Sequence, residues 1–470
     1  MSPAALVVHG HFYQPPRLDP FTGRMPLDPT ASPARDWNER ISADCYRPNA
    51  VAGNLAAMSW DVGPTLAGWL DSDDGDRVAY GGFVDGDRGT NGMAQPFHHT
   101  ILPLASAADR RTEIRWGLRD FELRFGRRPV GMWLPETAVD LDTLRMLAAE
   151  GIEHTILAPW QVAGHPDTRR PVRLDLGAGR SIVAAIYDGL LSAAVSFEPA
   201  ATVDADRFVA ERIVPRFAES PADLDGADPL VVIASDGELY GHHQPLREHF
   251  LARLVGTTAP SDRPFERPSL TAAIAQASAR GLPAGRLQER TSWSCHHGVT
   301  RWAASCGCVP DGDWKVPLRI ALERLAGGID ALTERLFREL PGAPDPWQTR
   351  DDYVDVVIGS RTDVEFAAER LDARAGDEDA TTFTAVLHAQ RWRLAMFASC
   401  AWFWEQPDRP ETYGALRSAT RAARLIDRVA GSALEARLDA DLATIRGPGR
   451  RDGGSLLDAA LAIVGERRGA

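Results

Sequence analysis

The sequence predicts a barrel of parallel strands and helices followed by an all-α domain. Short, wholly apolar runs recur up to about residue 300, as at residues 5–8 and 229–234, and each ends in polar residues. Segments with helical spacing alternate with these runs, as at residues 111–125. After Pro310 the strand-like runs disappear, and helical periodicity dominated by alanine and arginine takes their place.

The same features set the expected domain organisation. A chain of 470 residues is too long for one hydrophobic core. Alternating strands and helices, with polar residues at each strand end, favour a barrel over an open sheet. No G-x-G-x-x-G follows the first strand, which disfavours a dinucleotide-binding sheet. We therefore predict a catalytic barrel at residues 1–310 and a helical domain at residues 311–470.

Composition excludes several classes of function. The net charge of -13 argues against a nucleic-acid or anionic-membrane partner, and no apolar segment approaches membrane-spanning length. Lys315 is the only lysine, so lysine chemistry is excluded everywhere else. Five cysteines in a long chain do not indicate a secreted disulfide framework. The first nine residues lack the basic region of a signal peptide, so we expect a cytoplasmic protein.

Two acids follow apolar runs and have aromatic neighbours. Glu136 ends the run at residues 131–135, and Asp236 lies two residues after the run at residues 229–234. Two carboxylates that project from different strands over one cleft are what glycoside hydrolysis requires. The alternative is that each acid is an N-cap or a surface residue at a junction between a strand and a helix.

Histidines recur in pairs, at His9 and His11 and at residues 98–99, 242–243 and 296–297. His-x-His at a strand end can supply two zinc ligands, although hydrogen bonds to sugar hydroxyls are the simpler interpretation. A further group of possible metal ligands is formed by Cys295, His296, His297, Cys306 and Cys308. This group lacks the compact C-x2-4-C pairs of structural zinc sites. Whether it binds a metal stays open.

Four segments together resemble glycoside hydrolase family 57. Residues 9–15 (HGHFYQP) are similar to its N-terminal histidine motif, and residues 131–136 (GMWLPE) are similar to its nucleophile motif. Residues 235–241 (SDGELYG) resemble its acid/base motif, and residues 297–298 (HG) lie where its late motif falls. Residues 91–99 and the Cys-His-His segment differ from the well-known amylase-like and branching members of the family. The chain as a whole more closely resembles a separate subgroup described as amylase- or mannosidase-like.

The resemblance implies a fold, a mechanism and a set of site residues. It implies an incomplete, seven-stranded (β/α) barrel and a helical domain, with Glu136 as the nucleophile and Asp236 as the general acid/base of a retaining enzyme. We expect His11, His242 and His297 to contact sugar hydroxyls and Trp133 to form the sugar platform. The full set of expected substrate contacts is His9, His11, Gln14, Trp133, Glu238, His242, Trp293, His297, Trp302 and Trp402.

The expected substrate is an α-glucan or a related α-linked oligosaccharide, and no metal or cofactor is expected. The sequence does not separate hydrolysis from transglycosylation, and it leaves linkage, chain length and oligomeric state open. One alternative is a zinc-dependent carbohydrate hydrolase, deacetylase- or mannosidase-like, with His9, His11 and Asp236 around the metal. Another is a non-catalytic glucan-binding barrel, which the presence of both carboxylates disfavours.

Overall fold

A computed structural model describes residues 4–218, 228–443, 445 and 453–462 of the chain. The chain forms two compact units, the first comprising Met1–Gln14, Leu27–Pro96 and Phe121–Ser294. The second comprises Pro15–Pro26, Phe97–Asp120 and Cys295–Ala470, so two segments from the N-terminal part of the chain group with the C-terminal helices. The boundary at residue 310 stays a prediction. Residues 1–3 and 463–470, at the ends of the two predicted domains, lie outside the described residues.

The strands of the first unit are short. The strand at residues 5–12 is buried along its length, and the strand at residues 230–236 is buried up to its last residue. In chain order the strands are β1 (Ala5–Phe12), β2 (Ser59–Val62), β3 (Gly92–Met93), β4 (His154–Leu157), β5 (Val172–Gly177), β6 (Arg180–Ile186), β7 (Leu230–Asp236) and β8 (Ala284–Gly285).

Seven strand segments of the described chain follow one another in an incomplete ring. β1 pairs in parallel with β7 on one side and with β2 on the other, and β2 pairs with β3. Residues 131–132 form isolated parallel bridges with Ala94 and His154, and β4 then pairs in parallel with β6. The backbone N–H of Asp188, just after β6, donates to the carbonyl oxygen of Val232 in β7 at 2.7 Å. β5 lies antiparallel to β6, with β8 beside it.

This arrangement confirms the predicted parallel α/β barrel. Strand pairing is least regular at residues 131–132, which form only isolated bridges, and at Asp188, where one backbone hydrogen bond joins the end of β6 to β7. At the first of these, a Cβ on Gly131 would lie 2.4 Å from Nε2 of His154, so only glycine allows so close an approach.

Alternate residues of the strands build the core of the first unit, as a side-chain period of two requires. Val7, Ile156 and Val232 are each at most 2% exposed and belong to one cluster, which also contains Trp133. Some helices of this unit begin at polar caps such as Asp140, whose carboxylate accepts from Thr143 N–H, and others begin at proline, as at Pro64.

The helices up to β8 are α1 (Trp37–Ile41), α2 (Arg47–Val51), α3 (Pro64–Asp71), α4 (Arg77–Gly86), α5 (Ala107–Phe125), α6 (Leu141–Ala149), α7 (Gly189–Phe197), α8 (Ala205–Phe208), α9 (Val214–Ala218), α10 (Arg247–Leu254) and α11 (Leu270–Ala279). Those after it are α12 (Lys315–Glu339), α13 (Pro346–Asp352), α14 (Val354–Val357), α15 (Asp363–Arg370), α16 (Asp377–Ala395), α17 (Pro410–Ala430), α18 (Leu434–Leu442) and α19 (Gly453–Ala462).

The second unit is helical, as predicted for the chain after Pro310. Its segment at residues 97–120 is bound to the later helices by buried polar contacts. The indole N–H of Trp116 donates to the carbonyl oxygen of Arg350 at 3.0 Å, and Arg111 pairs with Asp351 at 2.8 Å. Among the described helices of the chain, none combines the length and the apolar character needed to cross a membrane.

The core of the first unit should be sensitive to loss of volume at Ile156, which has no exposed surface. Ile156→Ala removes buried methyl groups and leaves a cavity, which costs about 2–5 kcal/mol. We expect a lower midpoint of urea unfolding, measured by tryptophan fluorescence. Leu190→Ala is the matched control, because Leu190 is 69% exposed. Equal midpoint shifts for the two variants would contradict this description of the core.

Candidate functional site

Polar side chains of the first unit gather where parallel strands of the ring end. His9 and His11 belong to β1, Asp61 to β2, and Asp236 is the last residue of β7. In the strand register, His11 is paired with Asp61 on one side and with Asp236 on the other. The carboxyl ends of barrel strands form one rim, which is where barrel folds place their chemistry.

Asp61 is the hub of this cluster and is completely buried. His9 Nε2 lies 3.0 Å from one of its carboxylate oxygens, and His11 Nδ1 lies 2.8 Å from the other. The side-chain amide of Gln95 donates to that second oxygen. A buried charge is tolerated only when such partners replace water, and Asp61 has three.

The ion pair between His11 and Asp61 sets the charge at the centre of the site. Burial lowers the pKa of His11, but the Asp61 carboxylate, assisted by Asp236 and Glu238, outweighs burial and raises this pKa to about 9. Burial likewise raises the pKa of Asp61, but the His11 charge and hydrogen bond bring it below its usual value. At neutral pH, therefore, His11 is a cation that faces several carboxyl groups.

Trp133 supports these histidines and has no exposed surface. Its ring stacks on His9 at 5.0 Å and on His11 at 4.9 Å between centroids. The predicted role of Trp133 as a sugar platform is therefore replaced by a packing role. His9 is corrected in the same way, because it is fully buried between Ser59, Asp61 and Trp133, out of reach of a sugar hydroxyl.

Glu136 follows the bridge at residues 131–132 and has an uncommon backbone conformation. Its φ is 57° and its ψ is 22°, and φ of the next residue, Thr137, is 45°. Left-handed conformations of non-glycine residues are strained and persist where surrounding contacts over-determine them. Here the Ser294 hydroxyl donates to Glu136 Oε2 at 2.6 Å, and the Trp293 indole N–H donates to the same oxygen at 3.2 Å.

The two predicted catalytic carboxyl groups interact electrostatically. Burial raises the pKa of half-buried Glu136, the hydrogen bond from Ser294 opposes this rise, and the charge of Asp236 adds to it. Surrounding protein also raises the pKa of Asp236, while the positive charges of His11 and His243 oppose the rise. Asp236 nevertheless remains exposed to solvent, and screening by water limits its shift.

Glu238 forms a third acidic position beside them. The Tyr46 hydroxyl donates to Glu238 Oε1 at 2.6 Å, and the amide of Gln14 donates to the same oxygen at 3.4 Å. Burial raises the pKa of Glu238 to about 7, against the effect of the Tyr46 hydrogen bond. The predicted residues Gln14 and Glu238 are therefore brought together with the catalytic candidates, although both are buried.

Four other predicted substrate contacts lie elsewhere. His242 Nδ1 contacts Asp44 at 3.0 Å, and its neighbour His243 is the histidine that acts on Asp236. His297 belongs to the second unit, where its Nδ1 lies 3.5 Å from the sulfur of Cys308. Trp302 and Trp402 also belong to the second unit and are completely buried, so a core role replaces the predicted substrate contact for both.

Several residues of the site were not singled out from the sequence. Asp61 lies inside the short strand β2, and Gln95 lies two residues after β3, so neither follows a long apolar run as Glu136 and Asp236 do. Ser294, Tyr46 and His243 carry no comparable signal in one sequence. The alternative set of zinc ligands, His9, His11 and Asp236, is not among the donor groups of the described residues that lie close enough to share a metal ion. Within the described residues, the donors close enough to share a metal ion are those of Cys295, His297 and Cys308.

Comparison with known proteins tests the predicted family. Residues 92–260 match the model of glycosyl hydrolase family 57, and residues 311–448 match that of a domain of unknown function, DUF3536. The resemblance to glycoside hydrolase family 57 is confirmed. The prediction of a family 57-like enzyme is confirmed by the same match. No curated protein matches the chain by sequence.

Solved structures of family 57 proteins share the fold of the whole chain. An exo-type maltose-forming amylase from Pyrococcus sp. ST04 is 17% identical, covers 97% of this chain and 88% of its own, and has a TM-score of 0.72. A family 57-type branching enzyme from Pyrococcus horikoshii is 15% identical, and the match covers 98% of this chain and 94% of the branching enzyme, with a TM-score of 0.63. The α-amylase AmyC from Thermotoga maritima is 13% identical, with coverages of 97% and 99% and a TM-score of 0.61. At these identities the likeness is one of fold.

The ion pair of His11 makes stability depend on pH in a defined direction. The pKa of His11 is higher in the folded chain, so its contribution to the free energy of unfolding is fully present below about pH 6.5, the ordinary histidine value. That contribution should be lost as the pH rises through about 9. NMR of histidine-labelled protein should show one ring that titrates near this pH and is absent from His11→Gln. No ring with a raised pKa, or equal stability at pH 7 and pH 10, would contradict the ion pair.

Proposed function

We propose that the chain is a retaining glycoside hydrolase or transglycosylase, with Glu136 as its nucleophile and Asp236 as its general acid/base. The observation that carries this proposal is the local arrangement of Glu136. Its strained backbone is fixed by donors from Ser294 and Trp293, and its carboxylate interacts with Asp236 across a site centred on His11. A strained backbone at one acid, whose carboxylate interacts electrostatically with a second acid, is typical of a catalytic position.

In the first chemical step, Glu136 attacks the anomeric carbon while the glycosidic bond breaks. Asp236 gives its proton to the leaving oxygen, and a covalent glycosyl-enzyme results. Because both hydrogen-bond donors bind Oε2 of Glu136, we assign the attack to Oε1. In the second step, Asp236 removes a proton from water or from a sugar hydroxyl, which displaces Glu136 from the anomeric carbon. The two carboxyl groups should then lie about 5–5.5 Å apart.

The protonation states follow from opposing effects on the two acids. Glu136 must be ionised to attack, and the Ser294 hydroxyl and the cation of His11 favour its ionised form against burial. Asp236 must be protonated to act as an acid, and the raised direction of its pKa favours this form. Glu238, with a pKa of about 7, adds a further charge that changes near neutral pH beside Asp236.

We propose an α-glucan or a related α-linked oligosaccharide as the substrate. The similar solved structures are described as amylases and as a branching enzyme, which supports this class. Trp160 is our candidate for the stacking surface in place of Trp133, because it is 42% exposed and packs edge-on against Tyr187. The half-buried Trp293 retains its predicted substrate contact beside Glu136.

Substitution of the two acids tests the proposal. On a panel of α-1,4- and α-1,6-glucans, we expect Glu136→Gln to lower kcat/KM by at least about a thousandfold, because no covalent intermediate can form. Asp236→Asn should lower it by about 10²–10⁴-fold, since the leaving oxygen is no longer protonated. With an α-glycosyl fluoride, whose leaving group needs little protonation, Asp236→Asn should regain most of the first step.

The matched control is Glu211→Gln, an exposed carboxylate of the same unit. It should leave kcat/KM unchanged, and all three variants should keep the wild-type circular dichroism spectrum. NMR of the first product should show retention of the anomeric configuration. Wild-type activity in Glu136→Gln, or an inverted product, would sink the assignment.

A further inference from the structure

Cysteines 295, 306 and 308 come together with one histidine in the second unit. The Cys295 sulfur lies 3.7 Å from His297 Nδ1 and 3.8 Å from the Cys306 sulfur. The Cys308 sulfur lies 3.5 Å from the same nitrogen of His297. We call these four residues the thiol–imidazole cluster. Its two outer groups, His297 and Cys308, are exposed, whereas Cys295 is buried.

Three donors of the thiol–imidazole cluster, on Cys295, His297 and Cys308, all lie within 4.8 Å of one another, and the Cys306 sulfur contacts that of Cys295 outside this mutual set. With zinc–sulfur bonds of about 2.3 Å and tetrahedral angles, two sulfurs on one zinc lie about 3.8 Å apart. A sulfur and an imidazole nitrogen on the same zinc lie about 3.5–3.6 Å apart, because the zinc–nitrogen bond is about 2.0–2.1 Å. The three contacts given above, of the six donor pairs in the cluster, are each within about 0.2 Å of these values.

The backbone around the cluster brings the donors together. Residues 306–309 form a tight hairpin, in which Cys306 and Val309 exchange both backbone hydrogen bonds. At the tip of this hairpin, a Cβ on Gly307 would lie 3.0 Å from the ring of His297, so glycine lets the hairpin close onto the imidazole. Gly298, directly after His297, has a φ of 60°, a left-handed conformation that glycine adopts without strain and that changes the direction of the chain after His297.

The charge around the cluster suits a metal with three thiolates. Zinc with three thiolates and one neutral imidazole has a net charge of about -1. Lys315, the only lysine of the chain, is buried beside the cluster and interacts electrostatically with Cys295 and Cys306. Its ammonium group donates to the carbonyl oxygen of Arg301 at 2.6 Å, which fixes its position. A buried cation here therefore balances the charge that metal binding would leave.

We propose a structural binding site for one Zn²⁺ ion, with Cys295, His297 and Cys308 as ligands already in place. Cys306, whose sulfur contacts that of Cys295, moves towards the ion to become the fourth ligand. A disulfide would use only two of the three thiols and would leave His297 without a function in the cluster. Four protein ligands make a closed site that does not bind substrate. The hard-oxygen cations are disfavoured because sulfur and imidazole nitrogen are the donors.

The site would stabilise a part of the chain with little regular structure. Between β8 and α12, the described elements are two 3-10 helices, Gly298–Trp302 and Gly312–Trp314. A metal bound at residues 295–308 would cross-link this segment, in addition to the packing of its buried side chains Val299, Trp302 and Val309. Cys295 also follows Ser294 directly in the sequence, so the ion would fix the chain next to the residue that holds Glu136.

Metal analysis of the purified full chain tests the proposal. After expression with added Zn²⁺ and gel filtration, mass spectrometry of the metal content should give about one zinc per chain. Cys308→Ser and His297→Ala should lower the zinc content to about a tenth or less. Loss of a residue that only hydrogen-bonds to a metal ligand weakens metal binding about 10–100-fold, and loss of a ligand itself should weaken it more. His296→Ala, a neighbouring exposed histidine, is the matched control and should keep full occupancy.

A measurement on the wild-type chain keeps the test independent of how the variants fold. Thiol titration of native protein should show that a zinc chelator increases the number of reactive cysteines by about three, and that added Zn²⁺ reverses the increase. Substitution with Co²⁺ should give a thiolate-to-metal charge-transfer band. Wild-type protein that stays without zinc in the presence of Zn²⁺, a Cys295–Cys306 disulfide in peptide maps, or full zinc occupancy in Cys308→Ser would each overturn the site.

Discussion

The ion pair between His11 and Asp61 is the constraint on which the candidate active site depends. Asp61 is buried without exposed surface, so its charge must be balanced by partners from neighbouring segments. β1 supplies both histidines, and the segment after β3 supplies Gln95. Register pairing then places Asp236 next to His11 on the other side. The polar core of the rim is therefore specified by the order of three adjacent parallel strands.

The charge that this pair fixes determines how the acids titrate. Burial raises the pKa of Glu136, Asp236 and Glu238, and the cation of His11 opposes that rise at each of them. Without the cation, the pKa of each of the three carboxyl groups would be raised further. With it, one can be ionised while another keeps its proton, which is the condition for a nucleophile and an acid to act together.

The principal acids and the barrel could be predicted from the sequence because the signal is local. Apolar strands that end in acids, together with four ordered motifs, were sufficient for the fold, for the family resemblance, and for Glu136 and Asp236 as candidates.

The burial of aromatic rings was not predictable in this way. Trp133, Trp302 and Trp402 were assigned to sugar contact because tryptophan serves both as a platform and as a core residue, and composition does not separate the two. Asp61 was missed because an acid inside a short strand resembles an ordinary cap until its buried partners are seen. Residues 97–120 group with the C-terminal helices through contacts that are distant in sequence, such as Arg111 with Asp351.

Covalent trapping tests the central claim, that Glu136 is the nucleophile, more directly than any change in rate. A fluorinated α-glucosyl fluoride that forms the glycosyl-enzyme faster than it breaks down should label wild-type protein at a single position. Peptide mapping by mass spectrometry should place the added sugar on Glu136, and Glu136→Gln should remain unlabelled. A label on another residue, or turnover of the reagent with inversion of configuration, would contradict the account.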